Sequence, residues 1–237
     1  MINRRIFRFK QFSVDDNRCA MKVGTDAVIL GAWANVSNTD SVLDIGTGCG
    51  LIALMVAQRS NGHITAIDID ENASIQCKEN FMASPWHKRL DAVFGAVQQF
   101  DSESRFDLIV CNPPFFKNAL KTPDAQRNIA RHNDNLSFES LLVSVDRLLN
   151  DNGTFAFILP NDEANQVITL AVAHQFYPNR CCTVVSRDGK TSNRLIIELS
   201  RNESEVKRET LTIRDLNNQF TLQYKELTKD FYLFLSE

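Results

Sequence analysis

The residues that could do chemistry stand in two clusters. In "VLDIGTGCGLIAL" an acid, Asp44, precedes Gly46, Gly48 and Gly50 at alternate positions, and an apolar run follows. Glycines permit a tight turn and a close approach of backbone to ligand, and a helix starting there offers free N–H groups. A dinucleotide turn reads G-x-G-x-x-G, whereas this one reads G-x-G-x-G behind a carboxylate. That carboxylate repels a pyrophosphate and attracts an ammonium and a sulfonium, both of which S-adenosylmethionine (SAM) carries. Asp68, closing "ITAIDID", stands where an acid accepts hydrogen bonds from ribose hydroxyls, and Ile69 beside it can pack on adenine.

The second cluster is "FDLIVCNPPFF", where Leu108, Ile109 and Val110 run into Asn112, Pro113, Pro114 and Phe115. An exocyclic amine is a weak nucleophile because its lone pair is delocalised into the ring. Two acceptors aimed at its hydrogens favour a pyramidal nitrogen, and the Asn112 amide oxygen and the Pro113 carbonyl can be that pair. Pro114 restricts Pro113 and holds its carbonyl without an entropy cost on binding. Phe115 offers a ring for a planar substrate to stack on, worth about 1–3 kcal/mol per base. Beside a SAM-type turn, that pair would prepare an exocyclic amine to take a methyl group. A rigid turn with a capping Asn, and a glycine turn that holds no ligand, are the plain structural readings of the same residues.

Positioning these groups requires parallel strands ending at one edge. From about residue 41, short apolar runs alternate with amphipathic stretches, which predicts an α/β fold of βαβ units and a largely parallel sheet. The strands are expected at "SVLDIG", "HITAIDI", "LDAVFG", "FDLIVCN" and "TFAFILP". The helices are expected at "LIALMVAQRS", "ENASIQCKENFMAS", "SFESLLVSVDRLLN" and "DEANQVITLAVAHQF". "RCCTVVSR" and "RLIIELSR" flank Asp188-Gly189, an antiparallel hairpin signal, and "TLTIRD" with "KDFYLFL" extends it. Ligands of such sheets lie beyond the carboxyl ends of the strands, which brings Asn112 beside the glycine turn. Residues 116–135 have weak periodicity and read as a loop over the site.

The 237 residues, 43% apolar, suffice for one large core, and neither repeat nor linker marks a second domain. One domain is expected: 1–40 an extension over the cofactor and RNA site, 41–160 the SAM-binding core, 161–237 a helix and antiparallel strands. With 26 basic against 29 acidic residues there is no global field for a polyanion, so any nucleic-acid surface must be local. Six cysteines lack a CxxC pair or zinc spacing, and no apolar run is long enough to cross a bilayer. A cytoplasmic protein without metal or membrane partner, monomeric by default, is expected. His63, His87 and His174 read as structural, and Trp33 and Trp86 as packing residues.

Residues 41–160 resemble a class I SAM-dependent methyltransferase with the N-P-P-[FY] signature, which ribosomal RNA guanine N2- and protein glutamine N5-methyltransferases share. Three further stretches resemble the bacterial tRNA1(Val) (adenine37-N6)-methyltransferase family: "FRFKQFSVDDNRCAMKVGTDAVILGAW", "ARHNDNLSFESLL" and "LTKDFYLFL". This resemblance implies a Rossmann-like, mostly parallel sheet of seven strands with an antiparallel C-terminal hairpin and helices on both faces. It implies N6-methylation of adenosine 37, beside the tRNA anticodon, by base flipping. Asp44, Gly46 and Gly48 would then take the methionine part of SAM and Asp68 its ribose, with Gly50 in the same turn; Asn112, Pro113, Pro114 and Phe115 would take the base. Lys22, Gly24, Thr25 and Asp26 would lie over the methionine end, although Asp26 could simply cap the following helix. Ala96 stands where such enzymes carry an Asp for the SAM adenine. Arg4, Arg5, Arg8 and Lys10 are a local basic excess for RNA phosphates, and Arg131 and His132 lie in the "ARH" stretch. A protein glutamine methyltransferase usually brings a separate helical N-terminal domain, for which about 40 residues leave no room. A SAM-binding RNA module without catalysis is argued against by the intact Asn112 and prolines, and a dehydrogenase by Asp44.

Overall fold

The computed structural model describes residues 6–113 and 136–235. Five runs rich in Val, Ile and Leu form parallel strands: β3 (Ser41–Ile45), β4 (His63–Asp68), β5 (Leu90–Phe94), β6 (Phe106–Cys111) and β7 (Leu149–Leu159). Three more follow, β8 (Tyr177–Arg187), β9 (Arg194–Ser200) and β10 (Lys207–Arg214), giving one sheet in the order β10-β8-β9-β7-β6-β3-β4-β5. Of these, β9 alone runs against the rest, antiparallel to both β7 and β8. The sheet therefore has eight strands rather than seven, because β10, which contains "TLTIRD", adds a parallel edge to β8.

The segment "KDFYLFL" forms no sheet strand. It ends the helix Leu222–Thr228, bridges Phe9 through Tyr232 and closes on a 3₁₀ turn at Leu233–Leu235. Its aromatic alternation serves a ring stack: Tyr232 lies 5.8 Å from Phe9 and 4.8 Å from Phe234. A short separate hairpin, β1 (Ile6–Arg8) with β2 (Ser13–Asp15), leans on this stack through Phe9 and Phe12, whose centroids are 4.6 Å apart.

Alternate strand residues point to opposite faces, and each face has its own core. On one, α1 (Thr25–Trp33), α2 (Leu51–Arg59), α3 (Glu71–Met82) and α6 (Leu222–Thr228) cover Val42, Ile64, Leu108 and Val110. On the other, α4 (Phe138–Leu148) and α5 (Asn161–Ala173) cover Leu43, Ile45, Ile109 and Phe157. The helix ends are capped by side chains at several points. Asp70 and Ser137 accept the N–H of Asn72 and Ser140, and Arg59 donates to the carbonyls of Gly31 in α1 and of Ala34, its C-cap. No helix among the described residues is long and apolar enough to cross a membrane.

Candidate active site

The site grows from sheet register. Ile45 on β3 lies opposite Ile67 on β4 and Cys111 on β6, so Gly46, Asp68 and Asn112 are the next residues along three adjacent parallel strands. The order steps both ways from β3, to β4 on one side and β6 on the other, and a crevice opens at such a reversal. Beyond β3 the chain turns through Gly46, Gly48 and Gly50, all left-handed at φ of 67°, 57° and 83°. The Gly46 and Thr47 N–H groups donate to the Ile67 carbonyl, and Gly48 N–H donates to Asp68 Oδ2 at 2.7 Å.

A cavity of about 250 Å3 lies over these ends, with Gly46, Gly48, Asp68, Ile69, Ala96 and Asn112 among its walls. A Cβ added at Gly46 or Gly48 would meet no atom within 4 Å, so the turn presents bare backbone to the cavity. Asp68 Oδ1 accepts the Asp70 N–H at 2.9 Å while its other oxygen holds Gly48, leaving further lone pairs for hydroxyls. Burial raises the Asp68 pKa, opposed by the bonds from Asp70 and Gly48. Ile69, half exposed, forms an apolar lip. Across from it, Asn112 Oδ1 is buried and has no hydrogen-bond partner among the described residues, an acceptor left for a ligand to satisfy. Bare turn, ribose-type carboxylate and apolar lip fit a nucleoside with a charged tail, as SAM is, and the amide oxygen stands at the end of that cavity as an acceptor for a second group.

The remaining expected residues fall elsewhere. Asp44 is fully buried beneath the turn: its Oδ2 accepts from Thr47 Oγ1 at 2.6 Å and from Ala53 N–H at 3.2 Å, and its Oδ1 has no partner among the described residues. Desolvation raises its pKa to about 7, the two bonds opposing. Gly50 faces Phe81 and Cys77 rather than the cavity. Lys22, Gly24 and Thr25 are not among the cavity walls. Lys22 Nζ instead ties its own loop, donating to the carbonyls of Asp16, Asn17 and Cys19 at 2.7, 3.3 and 3.0 Å. The N-terminal wall is made by Cys19, Ala20 and Met21, immediately before the expected stretch. Asp26 does not cap α1, whose N-cap is Gly24; it pairs with Arg194 at 2.9 Å. Gln98 and Asp70 also line the cavity and carried no sequence signal beyond adjacency to Ala96 and Asp68. Pro113 is buried, and Arg8 and Lys10 are exposed on and beside β1. Arg4, Arg5, Pro114, Phe115, Arg131 and His132 lie outside the described residues.

The histidines have structural partners: His63 Nε2 meets Asp91 at 2.8 Å and His174 Nε2 meets Glu139 at 3.1 Å. The Trp33 indole N–H donates to Glu209 under the Arg180 guanidinium, and Trp86 packs edge-on to Phe12.

A doubly wound sheet with a glycine turn, a following acid and an unmet amide oxygen at one switch point defines a class I, Rossmann-like methyltransferase. A family model described as "Methyltransferase small domain" matches residues 21–158. A protein of Bacteroides thetaiotaomicron named tRNA1(Val) (adenine(37)-N6)-methyltransferase is 46% identical over 231 residues, spanning 97% of this chain and 98% of its own. Among solved structures, a predicted O-methyltransferase from Agrobacterium tumefaciens superposes with a TM-score of 0.68 at 15% identity, covering 87% of this chain and 96% of that one. A glycopeptide N-methyltransferase, MtfA, in complex with SAM superposes at 0.58 with 14% identity, covering 78% and 96%. The chain belongs to the tRNA1(Val) (adenine(37)-N6)-methyltransferase family.

Proposed function

We propose that the chain is a cytoplasmic enzyme that methylates the exocyclic N6 amine of adenosine 37 in tRNA1(Val), using SAM and taking the base flipped out of the anticodon loop. The observation that carries this is the unmet, buried Asn112 amide oxygen at the end of β6, in the same cavity as the glycine turn and Asp68. When bound, SAM supplies an electrophilic methyl group. Gly46 and Gly48 admit its amino-acid part against bare backbone, and Asp68 accepts from its ribose. Asp44 orders the turn through Thr47 and Ala53. Asn112 Oδ1 and the Pro113 carbonyl accept the two amine hydrogens and localise the nitrogen lone pair. Pro114 stiffens Pro113, and Phe115 stacks on the adenine. No side chain has to take the proton during attack, because the methylated, cationic amine then gives its proton to water. Arg4, Arg5, Arg8, Lys10, Arg131 and His132 meet tRNA phosphates, and the chain works as a monomer without metal.

Asn112→Ala is the test of mechanism. Loss of one preorganised partner of the transition state lowers turnover by about 100- to 1,000-fold. Calorimetric titration should show SAM binding retained, and unchanged turnover would refute the role of Asn112.

A further inference from the structure

The cavity has two walls that come from distant parts of the chain, the glycine turn after β3 and the segment 16–23 after β2. The internal bonds of that segment, from Lys22 Nζ to its carbonyls and from Val23 N–H to Asp16 Oδ2 at 2.9 Å, shape it without attaching it to the turn. Asn80, in the last turn of α3, joins the two. Its Oδ1 accepts the Asp15 N–H at 3.0 Å, and its Nδ2 donates to the Asp15 carbonyl and to the Cys49 carbonyl, both at 2.8 Å. With Asp15 the carboxamide makes the two-way pairing that a neighbouring strand would make, and its second amide hydrogen holds the turn.

Asn80 is 5% exposed and touches no cavity space of its own, so its full set of bonds is spent on placing the two walls. Two further contacts run along this side: the Cys19 and Cys49 thiols meet across the two walls, a weak sulfur contact, and the Arg18–Glu79 ion pair at 3.2 Å is about half exposed at both ends and contributes little in water. An amide suits the position: a carboxylate would face two carbonyl oxygens, and an apolar side chain would break all three bonds, the buried one to the Cys49 carbonyl included.

We infer that Asn80 is a positioning residue that sets the spacing between the Cys19–Ala20–Met21 wall and the glycine turn, and thereby governs SAM affinity and not RNA binding. This rests on the SAM-dependent reading of the cavity. The test is steady-state kinetics of Asn80→Ala and Asn80→Asp with SAM and tRNA varied separately. Arg18→Ala serves as a control on the same segment. Val145→Ala, a cavity on the opposite face of the sheet, serves as a control for general destabilisation. The KM for SAM should rise at least 10-fold in both Asn80 variants while kcat and the KM for tRNA stay within threefold, and both controls should leave all three constants within threefold. Should Asn80→Ala fail to fold, Asn80→Asp, which keeps the volume and the acceptor for Asp15 N–H, carries the comparison alone. A KM for SAM within twofold of wild type in the Asn80 variants overturns the inference, as does an equal rise in Val145→Ala. Wild-type protein that binds no SAM refutes the underlying reading instead.

Discussion

Gly48 and Gly50 share a turn, a left-handed backbone and a sequence pattern, yet the structure gives them different work. A Cβ at Gly50 would stand 2.7 Å from Phe81 Cε1 and 2.8 Å from Cys77 Sγ, and both residues are buried on α3 with nowhere to retreat. Gly50→Ala therefore combines left-handed strain of about 1–2 kcal/mol with overpacking of about 1–3 kcal/mol, roughly 2–5 kcal/mol together. For a chain of this size each kcal/mol lowers Tm by about 2–4 °C, so the loss is on the order of 5–20 °C. At Gly48 a Cβ meets nothing, which leaves the strain alone, roughly 2–8 °C. Its methyl group, however, enters the cavity. Thermal unfolding without ligand should rank Gly50→Ala well below Gly48→Ala. Calorimetric titration should rank them the other way, with SAM affinity reduced more than 10-fold in Gly48→Ala and nearly kept in Gly50→Ala measured well below its Tm. The reverse ranking in either assay would refute the division of the turn into a packing glycine and a binding glycine.

Asp44 should make the protein less stable as pH rises. Its folded pKa of about 7 lies above the unfolded value of 3.8, so the folded state holds the extra proton between them and the penalty, absent below about pH 4, is complete above about pH 7. Asp44→Asn keeps an acceptor for Thr47 and Ala53, and its Tm should exceed wild type at pH 8 by an amount that vanishes by pH 4; equal melting at pH 8 would count against a buried charge. Ala96→Asp restores a carboxylate on the cavity wall beside the adenine position, and a charge-assisted bond of about 1–2 kcal/mol should tighten SAM binding roughly 5- to 30-fold by calorimetry. Replacing exposed Arg8 and Lys10 together by Ala should weaken tRNA binding and reduce the salt slope of log K by about 1.5–2 if each meets a phosphate; an unchanged slope would remove both from the interface.

The cavity-bearing edge of the sheet was legible because strand and turn chemistry are local. Parallel strands buried on both faces read as apolar runs, and Gly46, Asp68 and Asn112, which reach the cavity, each stand just after one of them or at its end. What ran against the reading was tertiary. β7 begins at Leu149, five residues before the apolar run at Thr154, since "NDNG" looks like a turn while the strand continues past a register shift opposite Phe106 and Leu108. "KDFYLFL" has strand composition, but its rings are needed by Phe9 and Phe220, and packing overrode propensity. Lys22, expected over the methionine end of SAM, spends its ammonium on three carbonyls of its own loop, a local tie that no motif announces. The bond set of Asn80 spans 65 residues to Asp15 and 31 to Cys49, a distance over which no spacing rule operates.

The central claim is the identity of the methylated atom. Incubating the protein with methyl-labelled SAM and total tRNA from cells lacking the corresponding gene, then digesting to nucleosides for mass spectrometry, measures it directly. The account predicts labelled N6-methyladenosine at position 37 of tRNA1(Val), abolished by Asn112→Ala. Label found instead in ribosomal RNA guanine or in protein glutamine, with none in tRNA, would contradict it.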